Sequence, residues 1–236
     1  MTIIDFERTV SQERFEKYTC ACSGDGNKAH ELYNLNIRLA KEFYAVLGIF
    51  EVVLRNAIHR HYTGIYGTPD WIKNEVVAIW ATNPHYIVSM NKTVQRLQET
   101  FAKVQRKKPN GYSAADVIAT CTFGTWVHFF SPELFRLGQQ TIHRIFLRRA
   151  KGTTQRQIHK DLLTILHFRN RVAHHESLCF FAKVIDTASA RNILANVEQY
   201  TQWLDIDVAI YGTDLTEIRV IAAKIDVLKT ALMPQP

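Results

Sequence analysis

The sequence predicts an all-α fold, and three observations carry this prediction. Glycine and proline number only 10 and 6 in 236 residues, which leaves few positions that would interrupt helices or form the many turns of a sheet protein. Apolar residues make up 47% of the chain and charged residues 22%, as in ordinary globular proteins. Apolar residues also recur at spacings of three and four, the period of amphipathic helices. A chain of this length can bury a core without disulfides or metals.

The longest apolar stripe predicts one long amphipathic helix in the N-terminal part of the chain. Its members are Leu32, Leu35, Leu39, Phe43, Val46, Phe50, Val53, Leu54 and Ile58. We expect this helix to end near Tyr62, because two glycines and a proline follow between residues 64 and 69 and such residues interrupt helices.

Shorter patterns predict the remaining elements. We expect helices over residues 71–81 and 90–104, and a capping box of Ser113 and Asp116 opens another. Thr154 and Gln157 form a second capping box, which begins a helix that we expect to continue through His174. Two more helices are predicted over 193–204 and 218–228, and a short extended segment over 179–185. The aromatic run at 123–130 is predicted to be core, because aromatic rings supply large buried areas.

Charge and composition narrow the possible partners and compartments. Lysine and arginine outnumber aspartate and glutamate by 29 to 22 and the pI is about 9.3, so a polyanion such as RNA is a reasonable partner. Neither a signal peptide nor an apolar run of about 18 residues is present, so we expect a cytoplasmic protein without membrane contact. The four cysteines follow neither a zinc pattern nor a disulfide framework.

The chemically distinctive segment is the end of the helix that begins at Thr154, where residues 167–176 read HFRNRVAHHE. Asn170 and His174 are four residues apart and share a helix face, and Arg169 is long enough to reach the same space. Histidine can take or give the proton of a ribose hydroxyl, while arginine can neutralise charge that builds on a phosphate. Arg169, Asn170 and His174 are therefore the candidate catalytic residues for metal-free RNA cleavage. The alternative is a helix end whose cations only complement the helix dipole.

The sequence gives less support to a metal site than to metal-free RNA cleavage. His174, His175 and Glu176 are consecutive and point in different directions, and no H-E-x-x-H motif completes a site. We therefore expect no metal and no cofactor.

Residues 169–174 resemble the R-x4-H signature of HEPN proteins. Five segments also resemble those of Abi-like, abortive-infection proteins and follow one another in the same order. They are residues 11–18 (SQERFEKY), 32–36 (LYNLN), 50–58 (FEVVLRNAI), 123–131 (FGTWVHFFS) and 166–176 (LHFRNRVAHHE). The resemblance is clearest over residues 11–177. We expect one domain over 1–236, in which the C-terminal helices of 186–236 have no assigned role.

The resemblance implies a HEPN-like helical bundle with additional helices. It also implies a homodimer with two R-x4-H motifs facing one cleft, and a metal-independent endoribonuclease used in phage defence or as a toxin, with an antitoxin or regulatory protein as a possible partner. Because some HEPN proteins do not cut RNA, the alternative is a non-catalytic member that binds RNA, nucleotide or a protein.

Two further sets of residues are candidates for supporting roles. Glu51, Arg55 and His59 lie along one helix face, and we expect them, with His175, to pack beside Arg169 and His174; the alternative is an exposed ion pair. Two basic groups could collect RNA phosphates, although charge runs are usually solvated faces. Their members are Arg106, Lys107 and Lys108, and then Arg144, Arg148, Arg149 and Lys151.

Overall fold

A computed structural model describes residues 3–74, 87–207 and 215–232. Within them the chain forms eleven α-helices, which confirms the predicted all-α fold. The helices are α1 (Ile3–Val10), α2 (Gln12–Ala21), α3 (Gly26–Tyr66), α4 (Trp71–Asn74), α5 (Ile87–Lys107), α6 (Ala114–Thr120), α7 (Phe123–His128), α8 (Pro132–Leu137), α9 (Gln155–Ala173), α10 (Ala188–Trp203) and α11 (Leu215–Ala231). A 3-10 turn lies at Ile142–Ile145. Strands β1 (Phe180–Phe181) and β2 (Val184–Ile185) form a small antiparallel hairpin in the segment predicted to be extended.

The long helix is confirmed and is longer than predicted at both ends. It begins at Gly26 because the Asp25 carboxylate accepts hydrogen bonds from the backbone N–H groups of Asn27 and Lys28, both at 3.1 Å, as an N-cap residue does. It passes the predicted end at Tyr62 and finishes at Tyr66. The chain turns at Gly67, whose φ of +69° suits glycine. Every member of the predicted apolar stripe is buried.

The capping predictions are confirmed at one helix and half correct at the other. Ser113 Oγ accepts from the N–H of Asp116 at 3.3 Å, and an Asp116 oxygen accepts from the N–H of Ser113 at 2.9 Å. Thr154 Oγ1 accepts from the N–H of Gln157 at 3.2 Å, but the Gln157 amide donates to Asp161 at 2.7 Å instead of returning to Thr154. Of the helix predicted over 71–81, only Trp71–Asn74 falls within the described residues.

The chain divides into two compact units, each built from separate stretches of sequence. Unit 1 comprises Met1–Ile49, His167–Gln199 and Asp207–Pro236, and unit 2 comprises Phe50–Leu166 and Tyr200–Ile206. Helices α3, α9 and α10 therefore each contribute to both units. The prediction of one domain over 1–236 stays a prediction.

Unit 1 contains α1, α2, the hairpin and α11, together with parts of α3, α9 and α10. An aromatic cluster of α1, α2 and α3 forms part of its core: the Phe15 ring lies 5.3 Å from that of Phe6, and the Tyr18 ring lies 5.0 Å from that of Tyr33. An ion pair also joins α3 to α11, with Arg38 contacting Glu217 at 2.7 Å. These contacts pack α2 and α11 against α3.

Unit 2 has the predicted aromatic core. Phe123, Trp126, Phe129 and Phe130 are all buried, so the prediction that this run is core is confirmed. Tyr62 packs there against Phe129, with ring centroids 5.7 Å apart.

No helix in the described ranges combines the length and apolar character that a membrane span requires.

Candidate functional site

The helix that carries the R-x4-H motif ends one residue earlier than predicted. Helix α9 stops at Ala173, so His174 is its C-cap residue and does not belong to the last turn. The N–H of Glu176 donates to the carbonyl of Arg171 at 2.9 Å, and the N–H of His175 donates to that of Val172 at 3.1 Å. These two bonds define a Schellman motif, in which the residue after the cap adopts the left-handed conformation.

His175 takes that left-handed position with φ of +56°. Glycine usually occupies it, because a side chain there costs roughly 1–2 kcal/mol. Because no glycine marks this position, the sequence did not show that His174 lies just outside the helix. A non-glycine residue held in this conformation next to a candidate catalytic residue is local backbone strain.

The three candidate catalytic residues lie together in unit 1. Asn170 and His174 are exposed and Arg169 is half-buried. The N–H of His174 donates to the carbonyl of Asn170 at 2.9 Å. The two residues are therefore joined by the backbone hydrogen bond of a helical turn, although His174 lies outside the helix. An exposed imidazole at a fixed helix end can meet a ligand from solvent and transfer a proton, while the arginine five residues earlier supplies positive charge.

The side chain of Arg171 makes contacts that stabilise the fold. Its Nη2 donates to the carbonyl of Ser177 at 2.6 Å, its Nε lies 3.3 Å from a Glu176 carboxylate oxygen, and its guanidinium lies over the Phe168 ring. The second arginine of the motif therefore folds the segment after the helix back against α9.

Helix α2 also holds the segment after α9. The guanidinium of Arg14 donates to the carbonyl of His175, and the hydroxyl of Tyr18 donates to Ser177 Oγ at 2.9 Å. Tyr18 is buried, and burial raises the pKa of its hydroxyl well above the ordinary value, so the hydroxyl keeps its proton and remains a donor.

Helix α3 adds a buried contact. Asn36 is 2% exposed, and its Oδ1 accepts from the N–H groups of Leu178 at 2.7 Å and Cys179 at 3.3 Å. Both donors are themselves buried. The amide oxygen thus accepts from two backbone N–H groups that cannot reach water. Leaving such buried donors without a partner would lower the stability of the fold.

Sequence reasoning missed Arg14, Tyr18, Asn36 and Arg171 as parts of this site. The first two lie in the segment at 11–18 and Asn36 lies in the segment at 32–36, two of the segments that resemble Abi-like proteins. Asn36 also stands out physically, because a polar residue interrupts the buried stripe between Leu35 and Leu39.

Glu51, Arg55 and His59 are half-buried and lie on the part of α3 that belongs to unit 2. His59 Nδ1 accepts from Trp71 Nε1 at 3.0 Å, and burial, with a smaller effect of Arg60, lowers its pKa. These features suit a neutral histidine that anchors α4. The prediction that this face supports Arg169 and His174 stays a prediction.

Part of the first basic group is engaged within unit 2. Lys108 Nζ lies 2.6 Å from an Asp116 oxygen, and Arg106 Nε donates to the Ala102 carbonyl at 3.3 Å. Lys107 is exposed on the last turn of α5.

The second basic group also divides in two. Arg148 pairs with Asp205 at 2.5 Å, and Arg149 donates to the carbonyls of His143 and Phe146. Arg144 and Lys151 are exposed. The positive charge of Arg144 also helps to lower the pKa of His61, after the larger effect of burial.

Among the described residues, no group of three or more histidine, cysteine, aspartate or glutamate side chains is arranged to hold a metal ion. Cys22, Cys121 and Cys179 are buried and Cys20 is exposed, all as free thiols. Burial raises the pKa of both Cys121 and Cys179 to about 12, which makes these two thiols poor nucleophiles.

Comparison with known proteins extends the resemblance found in the sequence. The family model described as "Abi-like protein" matches residues 5–179, well over half of the 236-residue chain. The match includes every segment of the resemblance and the candidate site, and it ends before α10 and α11. No curated protein and no solved structure matches the chain.

Proposed function

We propose that this chain, which belongs to the Abi-like family, is an endoribonuclease of the HEPN type that cuts RNA without a metal. Membership of the family suggests abortive infection, a defence against phage, and an RNA-cutting toxin would serve that purpose. The observation that carries the proposal is the exposed His174 at a fixed helix end, five residues after Arg169. Such an arrangement places a proton-transfer group and a permanent cation at the same helix end.

In the proposed reaction the ribose 2′-hydroxyl attacks the adjacent phosphorus. His174 takes the hydroxyl proton as the new P–O bond forms. Arg169 neutralises the charge that builds on the non-bridging oxygens, and Asn170 orients the groups beside it. The bond to the 5′-oxygen then breaks, and that oxygen receives a proton. The products are a 2′,3′-cyclic phosphate and a 5′-hydroxyl, so neither an oxidant nor a second substrate is needed.

A homodimer would supply the acid for the final protonation. One chain offers one R-x4-H histidine, whereas an acid and a base are both wanted in a concerted displacement. A two-fold interface is isologous and would present the same helix end twice. In such a dimer His174 of one chain would act as the base and that of the second copy as the acid.

The experiment is incubation of the purified full chain with RNA in excess chelator. We expect cleavage, no cleavage of DNA of the same sequence, and loss of cleavage in His174→Ala. The matched control is His167→Ala, which removes an exposed histidine from the same helix. Strict dependence on a divalent metal would overturn the mechanism, and binding of RNA without any cutting would overturn the activity in favour of a binding protein.

Mixed dimers test the shared site. One subunit would be wild type and the other His174→Ala, separated by different affinity tags. We expect much less than half of the wild-type activity in the mixed dimer. Half of that activity, or a strict monomer that still cuts RNA, would exclude a site built from two chains.

A further inference from the structure

The segment that follows α9 leaves the helix immediately at His174, and an unsupported segment of that kind would be mobile. Within unit 1 it is instead held at three successive positions along the chain. Arg14 holds the carbonyl of His175, Tyr18 and Arg171 hold Ser177, and Asn36 holds the N–H groups of Leu178 and Cys179. The contacts come from α2, α3 and α9, so the segment is fixed from several directions.

We infer that Arg14 and Asn36 are positioning residues for the imidazole of His174, an inference that rests on the proposed function. The argument begins with His175. Its left-handed backbone, at φ of +56°, folds the chain back over the end of α9, so that the N–H groups of His175 and Glu176 bond to the carbonyls of Val172 and Arg171. These two bonds span His174, so the cap residue keeps its place only while they hold. Because this conformation is unfavourable for a side chain, it persists only where neighbouring groups hold it. The guanidinium of Arg14 binds the carbonyl of that residue.

Asn36 holds the buried end of the same segment. Leu178 and Cys179 are 0% exposed, and their two N–H groups share the single Asn36 oxygen. If that oxygen is lost, two buried donors have no partner, so the backbone between His174 and Cys179 must move to reach another acceptor or water. The contact thus fixes the far end of a segment whose near end is the reactive histidine.

Positioning of this kind matters because catalysis is sensitive to small displacements. A shift of about 1 Å caused by a change remote from the chemistry can cost about a hundredfold in rate, and catalytic side chains depend on residues that lock their surroundings. Neither Arg14 nor Asn36 is proposed to touch RNA. Their loss should therefore reduce kcat and leave KM nearly unchanged.

The first test uses Arg14, because its side chain is exposed and its removal should leave the protein folded. Arg14→Ala is compared with Arg8→Ala, which removes an exposed guanidinium of equal charge from α1. We expect Arg14→Ala to lower kcat roughly tenfold to a hundredfold and to broaden or shift the NMR signals of the His174 amide and imidazole. Arg8→Ala should resemble wild type in both measurements.

The second test uses the acceptor chemistry of Asn36. Asn36→Ala removes the oxygen, whereas Asn36→Asp keeps an acceptor in the same place. We expect Asn36→Ala to lose cleavage and the wild-type His174 signals, and Asn36→Asp to recover a large part of both. Leu194→Ala, a buried truncation on α10, controls for a general loss of stability and should leave the His174 signals unchanged.

The NMR measurement separates this inference from the proposed function. If the wild-type chain cuts no RNA, the proposed activity fails, and the signals of His174 alone decide whether the contacts position it. The inference is overturned if Arg14→Ala matches Arg8→Ala in the His174 signals, or if Asn36→Asp is as impaired as Asn36→Ala.

Discussion

Removing the imidazole of His174 should separate activity from folding. The side chain is exposed, and the contacts that form the helix end use only the backbone: the N–H of His174 donates to the Asn170 carbonyl at 2.9 Å. His174→Ala keeps that bond and replaces a C-cap side chain without opening a cavity. We therefore expect a change in the free energy of unfolding within about 0.5 kcal/mol, or about 1–2 °C in Tm for a chain of this size.

The effect on activity should be far larger. Proton transfer by a positioned side chain contributes roughly 10²–10⁴ in rate, and a loss of that size raises the activation free energy by about 3–5 kcal/mol. Thermal melts by circular dichroism and single-turnover cleavage should be measured on the same preparation. His167→Ala, an exposed change on the same helix, should leave both quantities near wild type.

Two outcomes would refute this reasoning. An unfolded His174→Ala protein would mean that the histidine stabilises the helix end, as the alternative interpretation of a cationic terminus holds. Equal losses of activity in His174→Ala and His167→Ala would mean that the position of the imidazole is unimportant.

Three further predictions concern the fold. His175→Gly should raise the free energy of unfolding by up to about 1.5 kcal/mol in chemical denaturation, because relief of the left-handed conformation is worth roughly 1–2 kcal/mol and the freer unfolded chain offsets about 0.5–1 kcal/mol; a loss of stability would contradict the strain. Gly138→Ala should lower it by about 1–3 kcal/mol, since the added Cβ would overlap the hydroxyl of Tyr62, a buried residue; an unchanged melt would contradict this packing. Burial lowers the pKa of His61, His143 and His159 below the ordinary 6.5, so their protonation is easier in the unfolded chain. Tm should therefore be highest above pH 6.5 and should fall as the pH is lowered below 6.5. A Tm that rises on acidification would contradict this prediction.

Much of the fold could be predicted from the sequence because its helices are strongly periodic. The stripe from Leu32 to Ile58 predicted α3 correctly, and only its ends were misjudged. The N-cap at Asp25 was overlooked, and Gly64 is tolerated inside the helix. Helices α1 and α2 were not predicted, since each is short and contributes too few apolar positions to establish a period.

The candidate residues could be identified in the sequence, but the contacts around them could not. Arg169, Asn170 and His174 stood out as polar side chains at the end of an apolar stripe. The contacts that hold the segment after them join residues as far apart as Arg14 and His175 or Asn36 and Leu178, and local periodicity contains no information about such pairs. Without a glycine to mark the C-terminus of α9, the position of His174 outside the helix was also hidden.

The most direct test of metal-free cleavage by the R-x4-H motif uses an oligonucleotide that the chain cuts at one known position. The substrate would carry a single 2′-deoxyribose on the 5′ side of that bond, with all other residues as RNA, and the reaction would contain excess chelator. We predict a 2′,3′-cyclic phosphate from the all-RNA substrate with wild-type chain, and no cutting at the deoxy position or with His174→Ala. Cleavage at the deoxy position, or a 5′-phosphate product that appears only with added metal, would contradict the proposed function.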